Sequence, residues 1–355
     1  MNFWVEDPEW GWWIILYFFL GGLASGSYFM AALIDLMGSE EDAQLPRIGY
    51  LIAFPLTLIC AVLLIVDLHV PGRFWHMLFR SEVVRQAISE GWPTTSLGWV
   101  TIWDAPLLKT WSPMSVGSWA LTIFGLCTAL SFVASLKPAS RFGTFVRRSW
   151  VGRGYQVIGC LAGFFIAAYT GSVLTATNQP IWSDSVGIAA LFLTSAASSS
   201  IALMLLIAHA RGAAPTASLL RLERADLWVL TLELAVFVAF LGSLGAFLIP
   251  FLNTVNGKII IATILLGVVV PLAVHLRIGG GWGWSMPLAA WFALVGGFLL
   301  RYGIVKTPPE ILERGPSIMA SFSPEDQRPR GGGRGADPNN RGVEIIPRSK
   351  LNKKN

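Results

Sequence analysis

A few ionisable side chains in this chain sit where an apolar sequence would not place them without cause. Asp67 closes a long apolar run, His69 follows two residues on, and Arg73 lies just beyond; Tyr169 sits late in another apolar run. An ionisable group inside hydrocarbon costs roughly 2.5–3.5 kcal/mol on insertion scales, so each needs a partner or a task. Burial strengthens a carboxyl's hold on its proton, which would let Asp67 exchange protons near neutrality. The plainer reading of Asp67 is a helix-end carboxylate paired to Arg73. For Tyr169 it is a packing ring that finds a partner for its hydroxyl.

A second set lies toward the opposite ends of the apolar runs: Asp35, His209, Asp226, Glu233, His275 and Arg277, with Glu233 the most interior. Such groups in series could carry protons through the membrane, or they could be helix-end salt bridges. His69, His76, His209 and His275 all fall near or beyond run ends, two toward each side. Haem ligation needs axial histidines facing each other inside the bundle, so no haem is expected. Cys60, Cys127 and Cys160 lie singly within apolar runs with no CxxC spacing, which predicts small packing residues and no iron–sulfur cluster in this chain.

The elements that must position these groups are membrane spans. Of 355 residues, 54% are hydrophobic and 13% charged, against about 25% charged in soluble domains. Eight apolar segments stand out, at 12–37, 48–68, 114–136, 155–175, 185–209, 227–249, 258–276 and 284–303. About 20 residues of helix cross the hydrocarbon, and a spanning backbone must satisfy its own hydrogen bonds, so these runs predict helices. Tryptophans crowd the span ends, at Trp10, Trp12, Trp13, Trp111, Trp182, Trp282 and Trp284, as an interfacial belt would. The fold class is therefore all-α and polytopic, with about eight transmembrane helices in residues 1–310.

Eight spans place both termini on one side, here side A, with the loops 69–113, 176–184 and 250–257. Side B holds the loops 38–47, 137–154, 210–226 and 277–283, and collects Arg47, Lys137, Arg141, Arg147, Arg148, Arg153, Arg211, Arg221 and Arg224. Positive charge in short loops favours side B as cytoplasmic and both termini outside. Residues 311–355 form a basic tail rich in Gly, Pro, Asn and Arg, predicted to be disordered. It lacks the interleaved aromatics of a nucleic-acid binder. The long second loop carries Phe74, Trp75, Leu78, Val83, Val84 and Ile88 among charges, an amphipathic pattern suited to docking a partner.

Four segments resemble the NrfD/PsrC family of quinone-interacting membrane subunits: GGLASG (Gly21 to Gly26), DLHVPGRFWHML (Asp67 to Leu78), SPMSVGSW (Ser112 to Trp119) and YTGSVLTATNQPIW (Tyr169 to Trp182). They are in register, and the span count agrees; the second half of the chain is similar by topology alone. The resemblance implies two packed four-helix bundles, 12–175 holding a quinone site and 185–303 forming the second. It implies a multi-pass subunit of a bacterial or archaeal cell membrane with no redox cofactor of its own. Its partners would be an iron–sulfur electron-transfer subunit and a catalytic subunit, often a molybdopterin enzyme, docked on side A.

Carried onto this sequence, the resemblance makes Asp67 the acidic residue of the quinone site and Tyr169 the hydrogen-bond donor to a quinone carbonyl. Tyr17 stands where some members carry a histidine, and a phenol donates but accepts protons poorly at neutral pH. His69 and Val70 replace the usual Gly-Arg of the motif, and His69 could serve as the proton carrier, since its reference pKa is about 6.5. Gly22 and Gly26 would open the slot, Arg73 would lie beside it, and Trp119 and Trp182 would flank the ring. The other function classes are a secondary transporter, for which Pro55, Pro250 and Pro271 could mark broken helices, and a structural anchor without quinone.

Overall fold

In a computed structural model, the described residues are 10–38, 44–104, 107–177, 179, 181–183, 185, 187–211, 217–277 and 285–313. Among them there are helices and no strand. In order they are α1 (Trp12–Met37), α2 (Gln44–Asp67), a 3₁₀ turn (Pro71–Met77), α3 (Ser81–Ser89), α4 (Ser96–Asp104), α5 (Pro113–Leu136), α6 (Arg141–Arg148), α7 (Trp150–Thr175), α8 (Gly187–Ala210), α9 (Ala217–Ser243), a short 3₁₀ link (Gly245–Phe247), α10 (Leu248–Asn253), α11 (Val255–Ile264), a π-helical turn (Leu265–Val269), α12 (Val270–Arg277) and α13 (Ser285–Glu313). Eight stretches are long and apolar enough to cross a membrane, with α11, the π turn and α12 forming the seventh, Val255–Leu276. The chain is a multi-pass, all-α membrane protein.

Local chemistry sets several of the helix ends. Pro113 occupies the first turn of α5, where a missing N–H costs nothing. Ser149 caps α7 by accepting from the Gly152 N–H, and Thr254 caps α11 by accepting from the Gly257 N–H. Pro271 has no N–H to give the carbonyl of Gly267 four residues back, and the wider π turn ends just before it.

The helices pack as two groups of four joined along a seam. α1 lies along α2 and α7, and α5 closes against α2 and α7; α8 lies along α9 and α13, and α11 packs on α13. The seam is α1 and α7 against α8. In lipid there is no hydrophobic drive between helices, so close approach of small residues and hydroxyl groups has to supply the association. The Ser195–Ala202 stretch of α8 is buried throughout and fits that role. Apolar rows left exposed, such as Ile123, Leu126, Leu130 and Val133 on α5 and Ile158, Leu161 and Phe165 on α7, form the outward face.

Two spans differ from the sequence expectation at their ends. The sixth helix runs 217–243 rather than 227–249, because its charged first turns are helical and carry Asp226 into the interior, where it is as buried as Glu233. The eighth runs to residue 313 rather than 303, through Pro308 and Pro309. There Glu310 accepts from the Val255 and Asn256 N–H groups at 2.7 and 3.0 Å, so an anion near the end of α13 caps the start of α11. The long second loop folds as the 3₁₀ turn, α3 and α4. It is held by Arg80 N–H to Leu107 O at 2.9 Å and by a Thr101–Glu90 hydrogen bond, with Val83 and Ala87 buried. The first three residues of the predicted tail, 311–313, are helical as the end of α13, and the rest, from residue 314, lies outside the described residues, as do Trp282 and Trp284 of the expected belt.

Candidate functional site

The last residue of α2 is Asp67. Seven residues earlier is Cys60 and four earlier is Leu63, both buried, so the three share the face of α2 that packs toward α1. Asp67 itself is half-buried. Among the described residues it makes no hydrogen bond and no ion pair to Arg73, and its electrostatic neighbour is His69, which is exposed. Arg73 is exposed on the 3₁₀ turn and, with Arg85 and Lys109, surrounds His76. Desolvation, then Arg85, Arg73 and Lys109, hold the His76 imidazole below its ordinary value.

Tyr169, on the last turns of α7, is half-buried. Its hydroxyl donates to Pro113 O at 2.8 Å and its ring stacks on Phe165 at 5.7 Å. Gly117 makes this possible, since a Cβ there would collide with the Tyr169 ring. Tyr17 is buried at 5% exposure on α1, with Cys60 and Tyr169 as its electrostatic neighbours. The structure therefore brings Tyr17, Tyr169 and Cys60 together at the side A ends of α1, α7 and α2, amid Leu63, Leu64, Leu121, Val173 and Leu174, while Asp67 lies two turns beyond Cys60 with His69 as its neighbour.

The two flanking tryptophans have other contacts. Trp119 donates from Nε1 to Leu78 O at 2.9 Å and meets Phe79 edge-on, so it pins the long loop to α5. Trp182 is fully buried, donates to Ile304 O at 2.8 Å and stacks on Trp10 at 5.1 Å. Gly22 and Gly26 are sites of close approach. A Cβ on Gly22 would come 2.7 Å from an Arg301 guanidinium nitrogen, and one on Gly26 would collide with Ser200 Oγ.

Arg301 is the residue that sequence reasoning missed. It lies two residues before the end of the expected eighth segment, 284–303, and well inside α13. In the structure it is 1% exposed. Its guanidinium donates to Phe18 O at 3.1 Å, Phe192 O at 3.2 Å, Gly297 O at 2.7 Å and Ser195 Oγ at 3.3 Å, joining α1, α8 and α13. Glu233 on α9 accepts from Ser198 Oγ at 2.5 Å, with Ser195 and Arg301 beside it.

On the side B half, Asp226 lies seven residues before Glu233 on the same face of α9. Its Oδ2 is 3.4 Å from His275 Nε2, and the other imidazole nitrogen, Nδ1, is 2.8 Å from Pro271 O. A carbonyl only accepts, so Nδ1 carries hydrogen and Nε2 faces the carboxyl. His209 and Glu223 line a small cavity of about 10 Å³ nearby with Leu205, Leu206 and Ala290. Asp35 lies apart from this series: it accepts from Arg147 at 2.7 and 3.2 Å and from Gln156 at 3.0 Å. Asp226 thus sits between His275 and Glu233 in the second group, His209 lines the small cavity with Glu223, and Asp35 is an ion-paired residue of the first.

The sequence profile of the family described as "Polysulphide reductase, NrfD" matches residues 2–308. A curated relative, a subunit of the selenate reductase of Mesobacillus selenatarsenatis, is 28% identical over 91 residues. That stretch is 26% of this chain and only 19% of the relative's own length.

Proposed function

The chain belongs to the NrfD (polysulphide reductase) family, and on that footing we propose that it is the quinone-binding membrane subunit of a multi-subunit oxidoreductase. Its working partners are then an iron–sulfur subunit on side A and a catalytic subunit behind it, both termini lying on that outer face. The observation that carries this reading is the set Asp67, Tyr17 and Tyr169: one half-buried carboxyl without a hydrogen bond among the described residues, and two phenols, at the same ends of three spans.

A bound quinone takes up two electrons and two protons, or gives them back, and it needs an apolar slot with a few polar contacts. The chain's residues divide that work. Asp67, carrying a proton, gives it at a carbonyl oxygen and takes it back in the reverse direction. Tyr169 turns its O–H from Pro113 O toward the opposite carbonyl, and Tyr17 offers a second donor from the buried side. His69, two residues from Asp67 and exposed, exchanges protons with water, while Arg73, Arg85 and Lys109 keep the mouth positive. The Leu63, Leu64 and Leu121 wall excludes water from the ring.

Asp67→Asn should lower quinone-coupled turnover of the assembled complex by about a hundredfold or more, the usual worth of a positioned acid or base. Tyr169→Phe should lower it by about tenfold, the worth of one good hydrogen bond. Both variants should still co-purify with their partner subunits. Normal turnover in both sinks the assignment, and purified complex that carries no quinone favours the anchor. The ion-translocating reading has one observation of its own: the π turn and the Asp226–His275 pair interrupt the second group beside Glu233. Proton uptake into vesicles that stops in Glu233→Gln, with quinone turnover retained, would separate that role from the redox one.

A further inference from the structure

We propose that α6 and the start of α7 form a binding site for the headgroup of an anionic phospholipid on side B. Residues 137–149 connect two membrane spans, so α6 lies at the level of the headgroups whatever the bilayer. Its two sides do different work. Inward, Val146 is buried and Arg147 is locked onto Asp35, with Gln156 on the other carboxylate oxygen. Outward, Arg141, Phe142, Thr144 and Phe145 are exposed. A short helix with a cation and two phenylalanines on its outer side has the composition of an interfacial element.

On the outer side Ala139, Arg141, Thr144, Phe145 and Ser149 line a broad, shallow groove open to the surroundings. Ser149 accepts from the Gly152 N–H at 2.9 Å, which leaves its own hydroxyl hydrogen to donate. Arg141 supplies a planar fork suited to phosphate, and Thr144 and Ser149 add two hydroxyl donors. Around the groove the surface is oily rather than aqueous: Leu136 and Trp150 are exposed at the ends of the adjoining spans, continuous with the outward rows of α5 and α7. A phosphate seated by Arg141 would place its glycerol and acyl chains along Phe145 and Trp150. That continuity with the lipid-facing rows selects a lipid headgroup over a soluble anion. Lys137 and Arg153, both exposed, lie outside the groove and add only to the general positive charge of this side.

The test uses the full chain in nanodiscs of phosphatidylcholine alone or of phosphatidylcholine with phosphatidylglycerol. Lipid retention is counted by native mass spectrometry, and the melting temperature is read in parallel. Wild type should retain phosphatidylglycerol and melt higher in the mixed discs. Arg141→Gln combined with Thr144→Val should lose retention by about tenfold, the worth of one charge-assisted pair. Arg153→Gln, outside the groove, should lose little. Equal melting in the two lipids, or an equal loss in Arg153→Gln, overturns the site in favour of diffuse attraction. A melting rise produced by inorganic phosphate in phosphatidylcholine discs overturns the lipid assignment, since the groove would then take a soluble anion.

Discussion

Replacing Arg301 by Met keeps much of the side-chain volume and removes the charge. The wild-type guanidinium donates four hydrogen bonds to groups on α1, α8 and α13, and the Phe192 and Phe19 rings lie 5.2 and 5.9 Å from its central carbon. Each hydrogen bond from a charged donor is worth about 1.5–3 kcal/mol, but most of that is offset by taking the cation out of water. What the substitution exposes is the remainder: helix carbonyls and Ser195 Oγ stripped of their donor, and Glu233 without the positive charge that lies near it. Buried polar groups left unsatisfied cost about 1–3 kcal/mol each, so a loss of about 3–5 kcal/mol is expected. For a chain of this size that is a fall in melting temperature on the order of 10 °C. Tryptophan fluorescence of the full chain in nanodiscs would follow it. The cycle with Glu233→Gln then isolates the cause. If the loss comes from an uncompensated carboxylate, the double variant should recover about 1–3 kcal/mol relative to additivity. A single variant that melts within a degree or two of wild type refutes the reasoning, and additive losses refute the electrostatic coupling.

Two further outcomes are expected. Gly117→Ala puts a methyl into the Tyr169 ring, so it should break the Tyr169–Pro113 hydrogen bond and cost about 1–3 kcal/mol by overpacking, read as a lower melting temperature. If that variant melts like wild type, the ring does not occupy the space above Gly117. The His76 imidazole lies below its ordinary value through desolvation and the cations Arg85, Arg73 and Lys109. Nearby cations disfavour the protonated ring, so Arg85→Gln should move its NMR titration upward; a downward or absent shift removes the cluster.

The spans were legible because lipid demands long apolar runs, and all eight segments reappear as helices. Their ends were less so, because a window of hydropathy discards charged turns even when the charges face inward, as Asp226 does on α9. Asp67 and Tyr169 stood out as polar residues that open two of the four motif segments, at one face. Arg301 was not, since its partners are backbone carbonyls of helices far apart in sequence, and no spacing rule points to them. Trp182 illustrates the opposite case: a tryptophan near a span end suggested the interface or a ring-binding wall, yet the folded loop carries it into full burial against Ile304.

The four-way grip of Arg301 also constrains how the molecule can move. Its nitrogens hold main-chain oxygens on the first, fifth and eighth spans, so it acts as a rivet through the seam between the halves. Rigid-body rocking of one half against the other would shear that rivet in an oily interior where no water can replace the lost bonds. A relative slide of these three spans would therefore have to break several charge-assisted hydrogen bonds at once.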